Sequence, residues 1–336
     1  MTLTDVERKL LIESLERMGL ACGREAVLTP LTGGVSSLIV RVDGRDRTFC
    51  VKCALPKLKV AAEWTAPVER NQAEVAWMRE VSTIVPDAVP TILAVDAAGN
   101  AFAMDFLDPR THPVWKNQLR DGVIDVTAAS EIGRRLAMIH GETARRAQLA
   151  QAFAHDATFF DIRLDPYLGE IGRVHPDIRS TTDELIQRTQ QTRLALMHGD
   201  VSPKNILVGP DGPVFLDAEC ACYGDPAFDA AFCLNHLLLK CLWHPQHANL
   251  YLACFDAFLR AYMDYVDWEP TEAIGLRVGS LLPALLLARV DGKSPVEYLH
   301  QQTEQRVVRE FAKRALLGAQ RQPGNIRHQW KKEIVN

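Results

Sequence analysis

The sequence predicts an α+β chain of two lobes, a small antiparallel sheet first and a larger, mainly helical body after it. Three observations carry that prediction. Short β-rich runs separated by turn residues are confined to 26–106. A single helical stretch interrupts them. After Leu107-Asp108-Pro109 the apolar residues recur with helical period instead. The expected division is therefore 1–106, an N-terminal lobe, and 107–336, a C-terminal lobe, and 336 residues allow two such units without a third.

The elements follow in order. Thr4-Asp5-Val6-Glu7 ahead of Leu10, Leu11 and Leu15 is a capping box opening an amphipathic helix. It has neither the basic start nor the unbroken apolar stretch of a secretory leader, so a cytoplasmic setting is expected. Strands are expected at 26–31, 38–42, 47–53, 92–95 and 101–106, with the one helix near 68–81 ending before Pro86 and Pro90. Helices are expected at 126–142, 182–190, 230–241, 250–265 and 306–317. The longest apolar run, 281–288, contains Pro283 and is far shorter than the roughly 20 residues that span a bilayer, so no membrane span is expected.

Composition excludes several classes. With 47% hydrophobic and 24% charged residues the chain can bury a core, which argues against disorder. Lys plus Arg is 38 against 42 Asp plus Glu, and a net charge of -4 gives no general attraction to nucleic acid or an anionic membrane. Among eight cysteines, Cys50 with Cys53 and Cys220 with Cys222 imitate a zinc site. Residues three apart on a strand face opposite sides, however, so reduced structural thiols are the expected reading. His244 and His247 flank Pro245 in a loop without a nearby third ligand, and are expected as surface histidines.

Chemistry concentrates in His198-Gly199-Asp200-Val201-Ser202-Pro203-Lys204-Asn205, followed by Ile206-Leu207, and in Val214-Phe215-Leu216 ending at Asp217-Ala218-Glu219. An Asp, an Asn five residues on and a second Asp after a β-hairpin form the set that phosphoryl transfer needs. Asp200 orients an attacking hydroxyl, while Asn205 and Asp217 hold Mg²⁺ on nucleotide phosphates. The competing reading makes these residues an N-cap and two turn residues.

These motifs resemble the aminoglycoside phosphotransferase and choline kinase group, relatives of the protein kinases. The resemblance implies a bilobal protein-kinase-like fold and ATP- and Mg²⁺-dependent phosphorylation of a small molecule. It implies that Lys52, on a strand, contacts the α and β phosphates and is held by Glu74 on a helix. Gly33, Gly34 and Ser36, between the first two strands, curl over the phosphates, because glycine lets backbone N–H groups approach closely, or form a plain hairpin turn, since the Gly-x-Gly-x-x-Gly pattern of protein kinases is lacking. Backbone groups of Asp105 and Leu107 meet the adenine. Glu219 adds a second metal ligand or is a surface carboxylate, His198 belongs to the catalytic-loop signature, and Asp229 braces that loop through backbone hydrogen bonds or is an acid in the first turn of a helix. Only seven residues separate Asp217 from Asp225, which leaves no room for the long activation segment on which a peptide docks.

Local likeness to the methylthioribose kinases is carried by Val51-Lys52-Cys53-Ala54-Leu55-Pro56, Glu63-Trp64, Glu69-Arg70, Glu74 and Asp217-Ala218-Glu219, all on the nucleotide side. The catalytic loop departs from theirs at Asn205. The acceptor therefore stays open among a sugar such as methylthioribose, an amino alcohol and an aminoglycoside-like compound. Eight Lys or Arg against three Glu in 301–336 argue against a polycation at the tail. Asp256, Tyr262, Asp264, Tyr265, Asp267, Trp268 and Glu269 mix acids with aromatics, as an amine site does, or form the wet face of a helix. Residues 160–167 are a polar cluster that lines a pocket or caps and pairs, and Arg289 and Asp291, directly after an apolar helix, are expected near the acceptor. The alternative function is a catalytically silent nucleotide-binding pseudokinase. Its mark is loss of the lysine, the catalytic Asp or the metal Asp, and all three positions are filled here. The expected partner is a small-molecule acceptor, with no nucleic acid and no membrane; monomer and homodimer stay open.

Overall fold

The computed structural model of the protein describes residues 3–20, 26–31, 37–54 and 70–335. Five strands, β1 (Val27–Pro30), β2 (Ser37–Asp43), β3 (Thr48–Ala54), β4 (Ile92–Asp96) and β5 (Ala101–Asp105), form one antiparallel sheet in the order β1-β2-β3-β5-β4. Strand alternation sorts its side chains onto two faces. Phe49, Val51, Ala101 and Ala103 pack with Leu11 and Leu15 of the N-terminal helix α1 (Asp5–Arg17). Cys50, Phe102 and Met104 point the other way, into the main core with Val75, Trp77 and Met78 of α2 (Arg70–Ser82). Lys52 has the parity of Cys50, so a period of two carries it to the α2 side of the sheet, where it meets Glu74.

The first helix is stopped and started locally. Thr4 Oγ1 accepts from the Glu7 N–H at 3.2 Å, and the Glu7 carboxylate returns a bond to the Thr4 N–H at 2.9 Å. Its far end is tied to the sheet by Asp96, which takes Ser14 Oγ at 2.5 Å and Arg17 Nη2 at 2.8 Å.

The helical lobe is built around α3 (Val126–Ala144), α4 (Pro226–Trp243), α5 (Ala248–Met263), α6 (Thr271–Asp291) and α7 (Gln302–Leu317). Helix α4 lies at its centre with Leu234, Leu237, Leu238 and Leu239 fully buried, and truncating one of these to Ala costs about 2–5 kcal/mol. It starts four residues before the periodicity indicates. Pro226 suits the first helical position, and the Asp225 carboxylate caps the Ala227 N–H at 3.0 Å. Helix α6 extends well beyond the apolar run 281–288 at both ends and keeps Pro283 inside it. It is long and apolar enough to cross a membrane, which the run alone does not indicate, and most of it is buried in the core.

Two features have no counterpart in the sequence pattern. Phe160–Gly169 is a wide π-helical turn around Pro166, and Ala195–Met197 pairs antiparallel with Cys222–Gly224 through Leu196 and Tyr223. The hairpin Ile206–Gly209 with Gly212–Phe215 lies between them in the chain.

Candidate active site

The loop 198–205 leaves the Ala195–Met197 strand, and the loop 216–221 leaves the hairpin, so two short ladders deliver Asp200 and Asp217 to one place. The loops are bonded to each other. Leu216 N–H donates to Asn205 O at 2.8 Å, and His198 Nε2 donates to Leu216 O at 3.0 Å. The other ring nitrogen, Nδ1, accepts the Asp200 N–H at 3.1 Å, which fixes the proton on Nε2. Burial holds His198 below the usual imidazole range, against the pull of Asp229 and Asp200, and keeps it in that neutral form. Its ring stands edge-on to Trp77 of α2, with centroids 4.9 Å apart.

Gly199 has φ +79°, and a Cβ there would meet Cys220 O at 2.7 Å, so no side chain fits. Asp229, buried in the first turn of α4, accepts the His198 N–H at 2.7 Å and the Gly199 N–H at 2.8 Å. His140 of α3 backs it, with Nε2 donating at 3.2 Å and Nδ1 meeting Tyr262 Oη at 2.8 Å.

Asp200 is buried, and three donors meet its carboxylate: Asn205 Nδ2 at 2.9 Å, Arg163 Nη2 at 2.9 Å and Lys204 Nζ at 3.2 Å. All three fall on Oδ2, so among the described residues Oδ1 is left for a further donor. Burial alone would raise its pKa, but Arg163 and then Lys204 outweigh burial and hold the group ionised below the usual carboxylate range.

On the opposite wall, Lys52 Nζ lies 2.6 Å from Glu74 Oε2 and 2.5 Å from Asp217 Oδ1. Burial opposes the ammonium charge. Asp217, Glu74 and Glu219 overcome that and push its pKa up. Burial also raises Glu74, to about 7, with Lys52 pulling back. Asp217 goes the other way: burial opposes its charge, but Lys52 and Lys204 hold it ionised far below its ordinary range. Its φ of +68° is a left-handed conformation that costs a non-glycine residue about 1–2 kcal/mol and is typical of residues positioned for function. Glu219 accepts from Arg70 Nε at 2.8 Å, which ties the 217–219 segment to α2.

Among the described residues no group of three His, Cys, Asp or Glu side chains surrounds a common metal position. Asn205 and Asp217 instead offer an amide and a carboxylate oxygen. That donor set suits magnesium, which takes one or two protein oxygens and keeps water and phosphate for its remaining positions.

The remaining predicted positions are placed as follows. Gly33, Gly34 and Ser36, together with Leu55, Pro56, Glu63, Trp64 and Glu69, lie outside the described residues. Asp105 ends β5 opposite Phe49 of β3, its N–H bonded to Thr91 O at 3.0 Å, and Leu107 follows two residues on. Arg289 turns toward Tyr167, with Nη1 3.1 Å from the phenol oxygen. Asp291 does not join it, because His175 at 2.8 Å and Arg309 at 2.7 Å engage its carboxylate.

Two participants carry weaker sequence signals. Lys204 reaches Asp200 because they are four residues apart across the tight turn Pro203–Asn205. Arg163 comes from the π-helical turn, donating through Nε to Gly199 O at 2.7 Å, and nothing in the chain between 163 and 199 announces that meeting.

The profile of the phosphotransferase enzyme family (APH) matches residues 27–270. The chain is similar to methylthioribose kinase of Enterobacter sp. (strain 638), 25% identical over 229 residues, which are 60% of this chain and 56% of that protein. It is 26% identical over 259 residues to methylthioribose kinase of Yersinia pseudotuberculosis (serotype O:1b), covering 68% of this chain and 63% of that one. The chain thus spans less than two thirds of the length of these curated relatives. In fold it is similar to choline kinase from Cryptosporidium parvum Iowa II, with a TM-score of 0.54, 12% identity and 98% and 96% of the two chains covered. Plasmodium vivax ethanolamine kinase gives a TM-score of 0.51 at 11% identity, over 100% of this chain and 91% of that chain.

Proposed function

Because the chain belongs to the phosphotransferase enzyme family, whose profile covers 27–270, we propose that it transfers the γ-phosphoryl group of ATP, with Mg²⁺, to a hydroxyl of a small molecule. The observation that carries this reading is the state of Asp200. It is ionised and buried, all its donors sit on one oxygen, and the other oxygen is left to accept the proton of an incoming hydroxyl.

In this reading Asp200 Oδ1 accepts the acceptor's O–H, orients its lone pair and receives the proton as the oxygen attacks. Lys204 stands within electrostatic reach of both Asp200 and Asp217 and sets a positive charge where negative charge grows on the transferred group. Lys52, held by Glu74, offers its ammonium to the phosphate chain, and backbone groups of Asp105 and Leu107 meet the base. Asn205 and Asp217 would hold the magnesium ion, which when bound neutralises phosphate oxygens and keeps the reacting groups in line. No covalent bond to the protein is required.

Release of ADP from ATP and Mg²⁺, measured with and without hydroxyl acceptors, tests the proposal. Asp200→Asn keeps the shape of the loop and removes the base. We expect at least about a hundredfold lower turnover with ATP affinity within a few fold of the parent. Equal turnover by that variant would remove Asp200 from the chemistry. ADP release that no acceptor stimulates would leave a nucleotide-binding pseudokinase as the reading.

A further inference from the structure

The catalytic lobe holds a second concentration of charge, which the groups assigned to phosphoryl transfer do not use. On α4, His236 and Lys240 are four residues apart and share a side of the helix. Arg289 arrives from the last turn of α6, Tyr298 from the segment after it, and Lys116 from Trp115–Arg120. The residues are in mutual reach. Lys240 Nζ lies 4.7 Å from the ring centroids of both Trp243 and Tyr298, and the Arg289 guanidinium lies 5.7 Å from the Tyr167 ring. Arg289, Lys240, Lys204 and Lys116 all act electrostatically on His236.

This group continues directly from the catalytic base. The Tyr167 ring packs at 5.5 Å on Phe232, which has the Arg163 guanidinium 5.9 Å from one side and the His236 ring 5.7 Å away. Arg163 and Lys204 are the two cations on Asp200.

Among the described residues, few anions balance these charges. Among the described residues, Glu297 is the carboxylate that acts on Lys240, and it is already paired with Lys116. Lys240 is 1% exposed, yet among the described residues no carboxylate or hydrogen-bond acceptor meets its ammonium. An unpaired buried charge of this kind is costly, and proteins keep one for a ligand far more readily than for stability. Among the described residues, His236 Nε2, Tyr298 Oη and Arg289 Nε are buried there without a hydrogen-bond partner, although Arg289 Nη1 donates to Tyr167 Oη and to Ser294, and Ser202 Oγ in the catalytic loop is likewise unpartnered. Each of these is a donor or can become one.

Of the four acids that composition offers to an amine, three are committed elsewhere. Asp256 is paired with Arg327, Asp267 with Arg145 and Glu269 with Arg277. Tyr262 is buried against His140.

We infer that Lys240, His236, Arg289 and Tyr298 receive a negatively charged group, a carboxylate or a phosphate ester, on the hydroxyl-bearing acceptor. The substrate class is then an anionic hydroxy compound, in contrast to the neutral sugars and amines that the sequence leaves open. This inference rests on the phosphotransferase reading. Support comes from Lys240 itself: burial, reinforced by Lys116, presses its pKa down to about 7, while the two rings favour its charge. An entering anion would complete its protonation.

The test is ADP release at saturating ATP and Mg²⁺ with D-glycerate, sn-glycerol 3-phosphate, methylthioribose, choline and kanamycin. Calorimetric titration of the two anions and of ATP with Mg²⁺ accompanies it. We expect one anion to exceed the neutral and cationic compounds at least tenfold in kcat/KM, or to bind where they do not. Lys240→Met should weaken that anion at least tenfold, through KM, with ATP affinity within twofold. Because the variant removes an unpaired buried charge, its Tm without ligand should rise. Preference for a neutral or cationic acceptor, an unaltered preference in Lys240→Met, or no anion bound at all each overturns the inference while ATP binding persists. Loss of ATP binding in the parent protein would instead overturn the phosphotransferase reading.

Discussion

Replacing Asp229 by Ala tests whether the catalytic loop is held from beneath. The carboxylate is fully buried and accepts three bonds, from the His198 N–H at 2.7 Å, the Gly199 N–H at 2.8 Å and His140 Nε2 at 3.2 Å. Hydrogen bonds to a charged group are worth about 1.5–3 kcal/mol each, and donors left buried without partners add to the loss. Three such bonds, discounted for water entering the space, make the expected loss about 4 kcal/mol, within the range for breaking a buried polar network. Asp229→Asn retains one acceptor oxygen but turns an N–H toward a backbone N–H, so about half of that loss is expected. Urea unfolding measures both. The kinetic consequence is separable, because Asp229 touches the two residues before Asp200 and none of Lys52, Glu74 or Asp217. A shift of the order of 1 Å at the base costs about a hundredfold in rate, so turnover should fall while the ATP dissociation constant stays within a few fold. An Asp229→Ala protein within about 0.5 kcal/mol of the parent and equally active would falsify the claim that these bonds set the loop.

Two further outcomes are expected. Arg163→Met removes the Gly199 and Asp200 contacts together and leaves Lys204 as the one cation on the base, so turnover should drop at least about tenfold with ATP affinity kept; Arg163→Lys should recover part of it, and equal rates for Met and Lys would contradict a directional role. The acceptor's KM should rise as pH passes upward through about 7, because Lys240 is protonated below that value and neutral above it. Burial and Lys116 oppose its charge, Glu297 and the Trp243 and Tyr298 rings favour it, and His236, held neutral by its own burial and the cations around it, adds no charge near pH 7, so Lys240→Met should flatten that limb of the profile, and an unchanged profile in the variant would exclude Lys240 as its source.

How much of this was legible in the chain differs by element. The β-rich span before 107 and the helical span after it show in local periodicity, because each strand or helix must bury one face and that face recurs every two or every three to four residues. The Asp200, Asn205 and Asp217 set is legible for a similar reason. Its members lie on two loops joined by a short hairpin, so their spacing along the chain constrains their spacing in space. The start of α4 at Pro226 was legible in principle from Asp225 and the proline after it, but apolar periodicity marks only the buried body of a helix and passes over its cap.

Other features depend on contacts that no local pattern encodes. Residue type and short-range spacing alone set out Lys52 on a strand and the Asp200, Asn205 and Asp217 set on two neighbouring loops. Packing between remote segments brings Arg163 from a π-helical turn onto Asp200, engages Asp291 with His175 and Arg309 while Arg289 meets Tyr167 and Ser294, and, among the described residues, leaves buried Lys240 without a paired anion. The physical reason is that the worth of a charge depends on its distance from other charges and from water, and packing between remote segments sets both.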